Sequence, residues 1–421
     1  MIKLNLYLIL FFITNVAFAQ YQGPIPVLTS GYGSQGPNTV SVINITNDHF
    51  ALKDISVFQP TGTTTPIPTI YFLHGFGGND TTNYIETLSN LASHGYAVVF
   101  VPYKTVGVTL SERYLTLYDG FIKASQSLPT IIDTTRVGFF GHSFGGGATP
   151  RISYRLFTEN NWGANGKFIY CSAPWYSLEL GATNLNDFPT DCNMLTVLFD
   201  KDAVNDHRMG MDIFNNISID DSIKDCILVN VDTISSYIYE ANHSLPSQYT
   251  PNGVYDAHDY YVTFRLLGAL ADYTFTGSLT AKNIALGNGS TAQVNLGSQL
   301  SPLIVTDSPS PIYEETLYDY PCSDAQNERQ AFCQTILGID DESSENNSIE
   351  IFPNPTNGKL KINSKISYQE IKISIFTITG QKILEIKDKT ELDISYLTSG
   401  TYFVLMNIDG NIKTEKLLKI Q

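Results

Sequence analysis

Basic residues are scarce in this chain. Its 421 residues hold 25 Lys and Arg against 41 Asp and Glu, a net charge of −16, so the basic footprint that nucleic acid or an anionic membrane surface demands is missing. Cysteine is scarce too. The five Cys show no C-x-x-C spacing and the seven His are scattered, which leaves no metal-ligand pattern and no cofactor to expect. Long apolar runs are confined to the N-terminus, where Met1-Ile-Lys3 precedes an apolar stretch to Phe18 and Ala17-Phe18-Ala19 offers a small-residue cleavage site. This pattern predicts a signal peptide over 1–19 and a mature chain starting near Gln20. The run from Leu4 to Ala19 is short for a ~20-residue membrane span, so no span is expected in the mature protein. Export places the cysteines in an oxidising compartment. Cys322 and Cys333, close together in a loop, are the first candidate disulfide. Cys192 and Cys226, each preceding a predicted strand, are a second, and Cys171 reads as a buried apolar residue.

What is present is apolar and periodic: 43% hydrophobic residues, enough for a large core and globular folding throughout. Ala51–Phe58 alternates as a half-buried strand, and Thr69–Leu73 and Tyr96–Val101 are continuous apolar runs of the fully buried kind. A helix is predicted from about Thr81 to Ser93 between them. The alternation continues with a helix over Leu110–Ser127 and strands at Lys167–Ser172, Met194–Phe199 and Cys226–Val231. Such strand-helix-strand order implies an α/β fold, a mostly parallel doubly wound sheet with its chemistry at the carboxyl ends of the strands.

The chain is organised around Val137-Gly-Phe-Phe-Gly-His-Ser-Phe-Gly-Gly-Gly147. An apolar strand runs into Gly141-His-Ser-Phe-Gly145 and then into a helix, the context in which G-x-S-x-G forms a strained strand-to-helix turn that exposes a serine. Ser143 is therefore the candidate nucleophile. Asp200-Lys-Asp202 follows the strand ending at Phe199, and Asn242-His243-Ser244 comes one strand later. Serine, acid, histidine in that order fits a hydrolase in which His243 takes the Ser143 proton and the acid orients His243. Asp202, a little further into its loop, is favoured over Asp200 and Asp206. His258 competes with His243, but it opens an amphipathic stretch over Asp256–Tyr273 and is expected at the surface or as a cap. His142 and His207 are read as structural, and His74 as a loop-stabilising hydrogen-bonder. His74-Gly-Phe-Gly-Gly78 sits at a strand end, where the Phe76 amide, with that of Phe144, would face a developing oxyanion. Only about 18 residues separate Trp175 from the next strand, too few for an inserted multi-helix lid.

These residues carry a resemblance. Over about 22–275 the chain resembles an α/β-hydrolase of the group containing dienelactone hydrolases, cutinase-like esterases and polyester hydrolases. His74-Gly-Phe-Gly-Gly78, Gly141-His-Ser-Phe-Gly145, Ala173-Pro-Trp175, Asp200-Lys-Asp202 and His243 carry the likeness. It implies a serine esterase with Phe76 and Trp175 as aromatic substrate-binding walls, acting as a monomer on bulky or polymeric esters, polyesters of the terephthalate type among them.

The last ~73 residues differ in character. They hold 10 Lys and 8 acids, a balance of +2, and the remainder carries −18. After a C-terminal extension of the hydrolase to 335, with strands expected over Asn283–Leu296 and Leu300–Val305, an acidic linker is expected over 336–348. Short alternating strands then run from 349 to 421, punctuated by Asn357-Gly358, Thr379-Gly380 and Asp409-Gly410, and predict a small β-sandwich. Phe352-Pro-Asn-Pro355, Ile378-Thr-Gly-Gln381 and Ser399-Gly-Thr-Tyr-Phe403 resemble the type A sorting domain of the type IX secretion system. That resemblance implies export across a bacterial outer membrane and the secretion machinery as a partner. A secreted carboxylic-ester hydrolase is the favoured function. A serine peptidase or amidase on the same scaffold is the alternative, and a non-catalytic adhesin-like protein the third class.

Overall fold

The computed structural model describes residues 20–180, 185–248, 253–297, 299–311, 349–364, 370–377, 382–408 and 411–420. The signal peptide, the Cys322–Cys333 pair, the acidic linker and the turns at Thr379-Gly380 and Asp409-Gly410 lie outside the described residues. The chain divides into two compact units, 1–332 and 333–421.

In the first unit the elements follow as β1 (Val40–Ile45), β2 (Ile55–Pro60), β3 (Ile67–Leu73), α1 (Ile85–Ser93), β4 (Ala97–Phe100), α2 (Leu110–Ser127), β5 (Ile132–His142), α3 (Phe144–Asn160), β6 (Lys167–Ser172), β7 (Asn193–Phe199), α4 (His207–Asn216) and β8 (Lys224–Val229). Beyond them come a short hairpin of β9 (Asp232–Ile234) and β10 (Tyr237–Tyr239), then α5 (Arg265–Thr276), α6 (Leu279–Ala285), α7 (Thr291–Val294) and β11 (Ile304–Thr306). Nine strands form one sheet in the order β1-β2-β4-β3-β5-β6-β7-β8-β11. Strands β4, β3, β5, β6, β7 and β8 pair in parallel, and β1, β2 and β11 join antiparallel at the two edges.

The continuous apolar strands are explained by burial on both faces. Along β3, Ile70 and Phe72 pack with Leu88 and Leu91 of α1 and Leu266, Leu267 and Leu270 of α5. The alternate residues Tyr71 and Leu73 pack with Leu117 and Phe121 of α2 and Ile152 and Leu156 of α3. Helix α2 starts at a capping box, in which Thr109 accepts from the Glu112 amide and the Glu112 carboxylate accepts from the Thr109 N–H at 2.7 Å. Among the described residues no helix is long and apolar enough to cross a membrane.

Four expectations need correction. Cys192 and Cys226 are buried free thiols, as is Cys171. The parallel register sets Cys226 opposite Thr196, four residues beyond Cys192, and ~3.3 Å per residue carries the pair outside disulfide reach. Asn283–Leu296 holds the end of α6 and all of α7 with a turn between them, and no strand: Ser278 and Ser290 cap the two helices by accepting from the Ala281 and Gln293 amides, and local capping outweighs the apolar pattern. The predicted strand at Ala51 begins only at Ile55, because a turn closed by Lys53 N–H on the Phe50 carbonyl precedes it. His258 stands at the N-cap position of the helical turn Asp259–Phe264, one of the two places expected, but it is buried at 1% exposure rather than at the surface, its Nδ1 3.0 Å from the Glu240 carbonyl.

The second unit contains two antiparallel sheets, β12-β13-β16 and β15-β14-β17-β18. Their strands are β12 (Ile349–Phe352), β13 (Lys359–Ser364), β14 (Ile371–Thr377), β15 (Lys382–Lys387), β16 (Glu391–Asp393), β17 (Gly400–Ile408) and β18 (Asn411–Lys419). Ile351, Leu360 and Leu392 of one sheet share a core with Ile373, Ile375, Val404 and Leu417 of the other.

Candidate active site

Ser143 stands between β5 and α3 with φ 58° and ψ −122°, a backbone region that costs a non-glycine residue ~1–3 kcal/mol. The neighbouring glycines make the turn possible. A Cβ on Gly141 would strike the Gly145 carbonyl and Thr149 Oγ1, and one on Gly145 would strike the carbonyls of Leu73 and His74. The turn is tied to the chain after β6 in both directions. Ser143 N–H donates to the Ser172 carbonyl at 3.0 Å, and the Ser143 carbonyl accepts from Trp175 N–H at 2.9 Å. The Ser143 hydroxyl makes no helix cap, so it is left to other partners.

That partner is His243. Its Nε2 lies 2.9 Å from Ser143 Oγ and its Nδ1 2.9 Å from Asp202 Oδ2. A carboxylate only accepts, so Nδ1 carries the proton and the Nε2 lone pair faces the serine hydroxyl. Asp202 Oδ1 accepts from the amides of Val204 at 2.9 Å and Asn205 at 2.8 Å, and its side chain is only 2% exposed. The histidine loop is fastened to the acid loop by a parallel bridge between Lys201 and Asn242, with Lys201 N–H on the Ala241 carbonyl at 2.9 Å. The other two acids are engaged elsewhere. Asp200 pairs with Lys201 at 3.1 Å, and Asp206 caps α4 and forms a buried ion pair with Arg208. His207 Nε2 lies 2.7 Å from the Phe199 carbonyl.

Gly75–Gly78 forms a tight turn, with Gly78 N–H on the Gly75 carbonyl at 2.9 Å and Gly77 at φ 84°, the positive φ that a type II turn needs at its third position. Phe76 occupies the second position, where the turn does not use its amide. A Cβ on Gly75 would lie 3.2 Å from that of Ser143, so the turn borders the serine. Phe144 is the first residue of α3, and its N–H has no acceptor within the helix.

The side chains around this centre are aromatic. Phe76 is 57% exposed, Trp175 is half-buried with its ring edge-on to Tyr176 at 4.9 Å, and the Arg113 guanidinium lies 5.2 Å from the Phe76 ring and 5.4 Å from the Phe144 ring. Beneath the turn, His74 Nδ1 is 2.7 Å from the Gly75 carbonyl while its Nε2 accepts from Tyr103 N–H at 3.1 Å. Burial lowers His74 and His142 to about 3, so both are neutral. Sequence reasoning missed Arg113, which meets Phe76 and Phe144 only once their segments fold onto it.

A search among curated proteins gives no match to this chain. Residues 350–421 match the family of secretion system C-terminal sorting domains, and this type IX segment directs the protein to the cell surface or the extracellular space, with the secretion machinery as the partner it implies.

Proposed function

We propose that residues 20–335 form a secreted serine carboxylic-ester hydrolase of the α/β-hydrolase type, joined by a linker over 336–348 to the sorting segment over 349–421 and active as a monomer. The observation that carries the reading is the unbroken line from Asp202 through His243 to Ser143 Oγ, with both spacings 2.9 Å, on a serine held at positive φ. Ser143 Oγ attacks the ester carbonyl carbon as its proton passes to His243 Nε2. The amides of Phe76 and Phe144 hold the oxyanion, and Asp202 stabilises the imidazolium. Collapse expels the alcohol, which takes its proton from His243. Water then repeats the sequence on the acyl-enzyme and releases the acid.

The surroundings support a substrate class. Among the described residues of the segment after Trp175, Leu180, Leu185 and Phe188 are buried in a core of the sheet, which supports an open cleft. Phe76 and Trp175 then act as aromatic walls for bulky or polymeric esters, aromatic polyesters included.

The direct test is hydrolysis of p-nitrophenyl butyrate and of amino-acyl nitroanilides by the wild type and Ser143→Ala. The wild type is expected to cleave the ester and leave the anilides, and Ser143→Ala to lose on the order of 10⁶ in kcat. Preferential anilide cleavage makes the protein an amidase or peptidase, and an inert wild type removes the enzymatic reading.

A further inference from the structure

Two buried residues outside the line of Ser143, His243 and Asp202 join the parts that the proposed reaction requires. Tyr84 closes the short helical turn Thr81–Tyr84, and His142 precedes Ser143; they are 2% and 5% exposed. The Gly75 amide donates to Tyr84 Oη at 3.1 Å, Tyr84 Oη lies 3.0 Å from His142 Nδ1, and His142 Nε2 lies 2.8 Å from the His243 carbonyl oxygen. These four groups admit one proton arrangement. A carbonyl only accepts, so Nε2 carries the imidazole proton and Nδ1 must accept from the tyrosine hydroxyl, whose oxygen in turn accepts from Gly75. The bonds therefore run in one direction, from the Gly75 N–H through Tyr84 and His142 to the His243 carbonyl. Burial first, and the nearby His243 second, lower His142 to about 3 and keep it neutral, as this arrangement needs. The Tyr84 ring is fixed by Phe72, 4.6 Å away between centroids, and the His142 and His243 rings stand 5.0 Å apart.

We propose that Tyr84 and His142 are positioning residues, a one-directional hydrogen-bond relay that sets the His243 backbone relative to the Gly75–Gly78 turn. The imidazole then meets Ser143 Oγ while the Phe76 amide meets the oxyanion. The inference rests on the ester-hydrolase reading. Neither residue touches the substrate; each acts through the two loops it connects. A displacement of about 1 Å in such a loop costs on the order of 100-fold in rate, so the relay belongs in kcat rather than in KM.

The test uses the full chain and p-nitrophenyl butyrate. Tyr84→Phe and His142→Phe are each expected to lower kcat about 10- to 100-fold with KM within about threefold. The double variant should be no more than about twofold worse than the poorer single, because either change opens the same relay. His142→Gln, whose amide can accept from Tyr84 and donate to His243, should recover most of the loss. Should the variants fail to fold, ¹⁵N spectra of the wild type decide: His142 is expected as the Nε2–H tautomer, unchanged from pH 5 to 8, with Tyr84, His243, Asp202 and His74 as the titratable groups around it. Single variants that keep kcat within twofold, additive losses in the double variant, or an Nδ1–H tautomer would overturn the relay. A wild type inert to both the ester and a fluorophosphonate probe overturns the hydrolase reading instead, and the relay falls with it.

Discussion

At the scale of single residues the site combines one strained serine with histidines held in opposite roles. His243 is partly open to solvent and faces a carboxylate, while His74 and His142 are sealed and held near 3 by burial. That difference has a measurable consequence. Unfolded histidine binds a proton below about 6.5, but the folded His74 and His142 refuse one until about 3. Their contribution is fully present above the unfolded value and is lost as the pH falls through the window from 6.5 to 3, at up to about 1.4 kcal/mol per pH unit for each. Asp259 works the other way, because burial raises its carboxyl and protonation favours its folded form. Unfolding of the wild type against His142→Gln between pH 7 and 4 isolates one histidine. Both Trp residues, Trp162 and Trp175, lie in the first unit and report its unfolding by fluorescence. The variant is expected to lose less stability per pH unit, and parallel slopes would contradict the neutral assignment. Ser143 and His243 were legible in sequence because G-x-S-x-G is local and chain order is read directly. Asp202 was favoured over Asp200 and Asp206 for its place further into the loop, and the fold sets its carboxylate 2.9 Å from the imidazole. Tyr84 lies 58 residues from His142, beyond any local pattern.

At the scale of elements, the turn over Gly75–Gly78 and the segment starting at Trp175 supply the proposed aromatic walls, and they matter most for substrates that present a ring. Stacking adds about 0.5–1.5 kcal/mol beyond buried area. Trp175→Ala is therefore expected to lower release of soluble acid from an aromatic polyester film about three- to tenfold more than it lowers p-nitrophenyl butyrate turnover. Equal losses on film and small ester, or no release by the wild type, would leave a general secreted esterase. Elements whose signal is a continuous apolar run were readable, because burial on both faces of a parallel sheet leaves little choice of residue: Lys167–Ser172 falls where the pattern puts it, and the amphipathic Leu110–Ser127 is a helix over the expected bounds. Elements set by a single polar contact were not. In α7 the carbonyls of Ala292 and Gln293 accept from the buried Arg265 guanidinium at 2.9 and 2.6 Å, and no periodicity announces a partner 27 and 28 residues earlier in the chain. Tyr237–Tyr239 alternates as a strand should, yet it pairs in a two-stranded hairpin with Asp232–Ile234, since register and sheet membership are tertiary choices.

At the scale of the whole molecule, the charge changes along the chain, −18 before residue 349 and +2 from there on, and the chain divides into two compact units. Each has a core of its own. The clusters of the first unit draw on residues between Ile25 and Leu303, and that of the second on Ile351 to Leu417. A body with its own core and its own sheets has what it needs to fold alone. The residues proposed for catalysis, from Phe76 to His243, all belong to the first unit, and every hydrogen bond cited for them closes within it. A chain ending at Ser343 is therefore expected to fold, to turn over p-nitrophenyl butyrate with kcat within about twofold of the full-length protein, and to show the same fluorescence midpoint in urea. Because export is directed by residues 350–421, the same truncation is expected to leave the protein unsecreted in a host with type IX secretion. The two readouts separate the roles. A truncated chain that is soluble but inactive would make the sorting segment part of the active unit, and one that is still delivered to the cell surface would take targeting away from it.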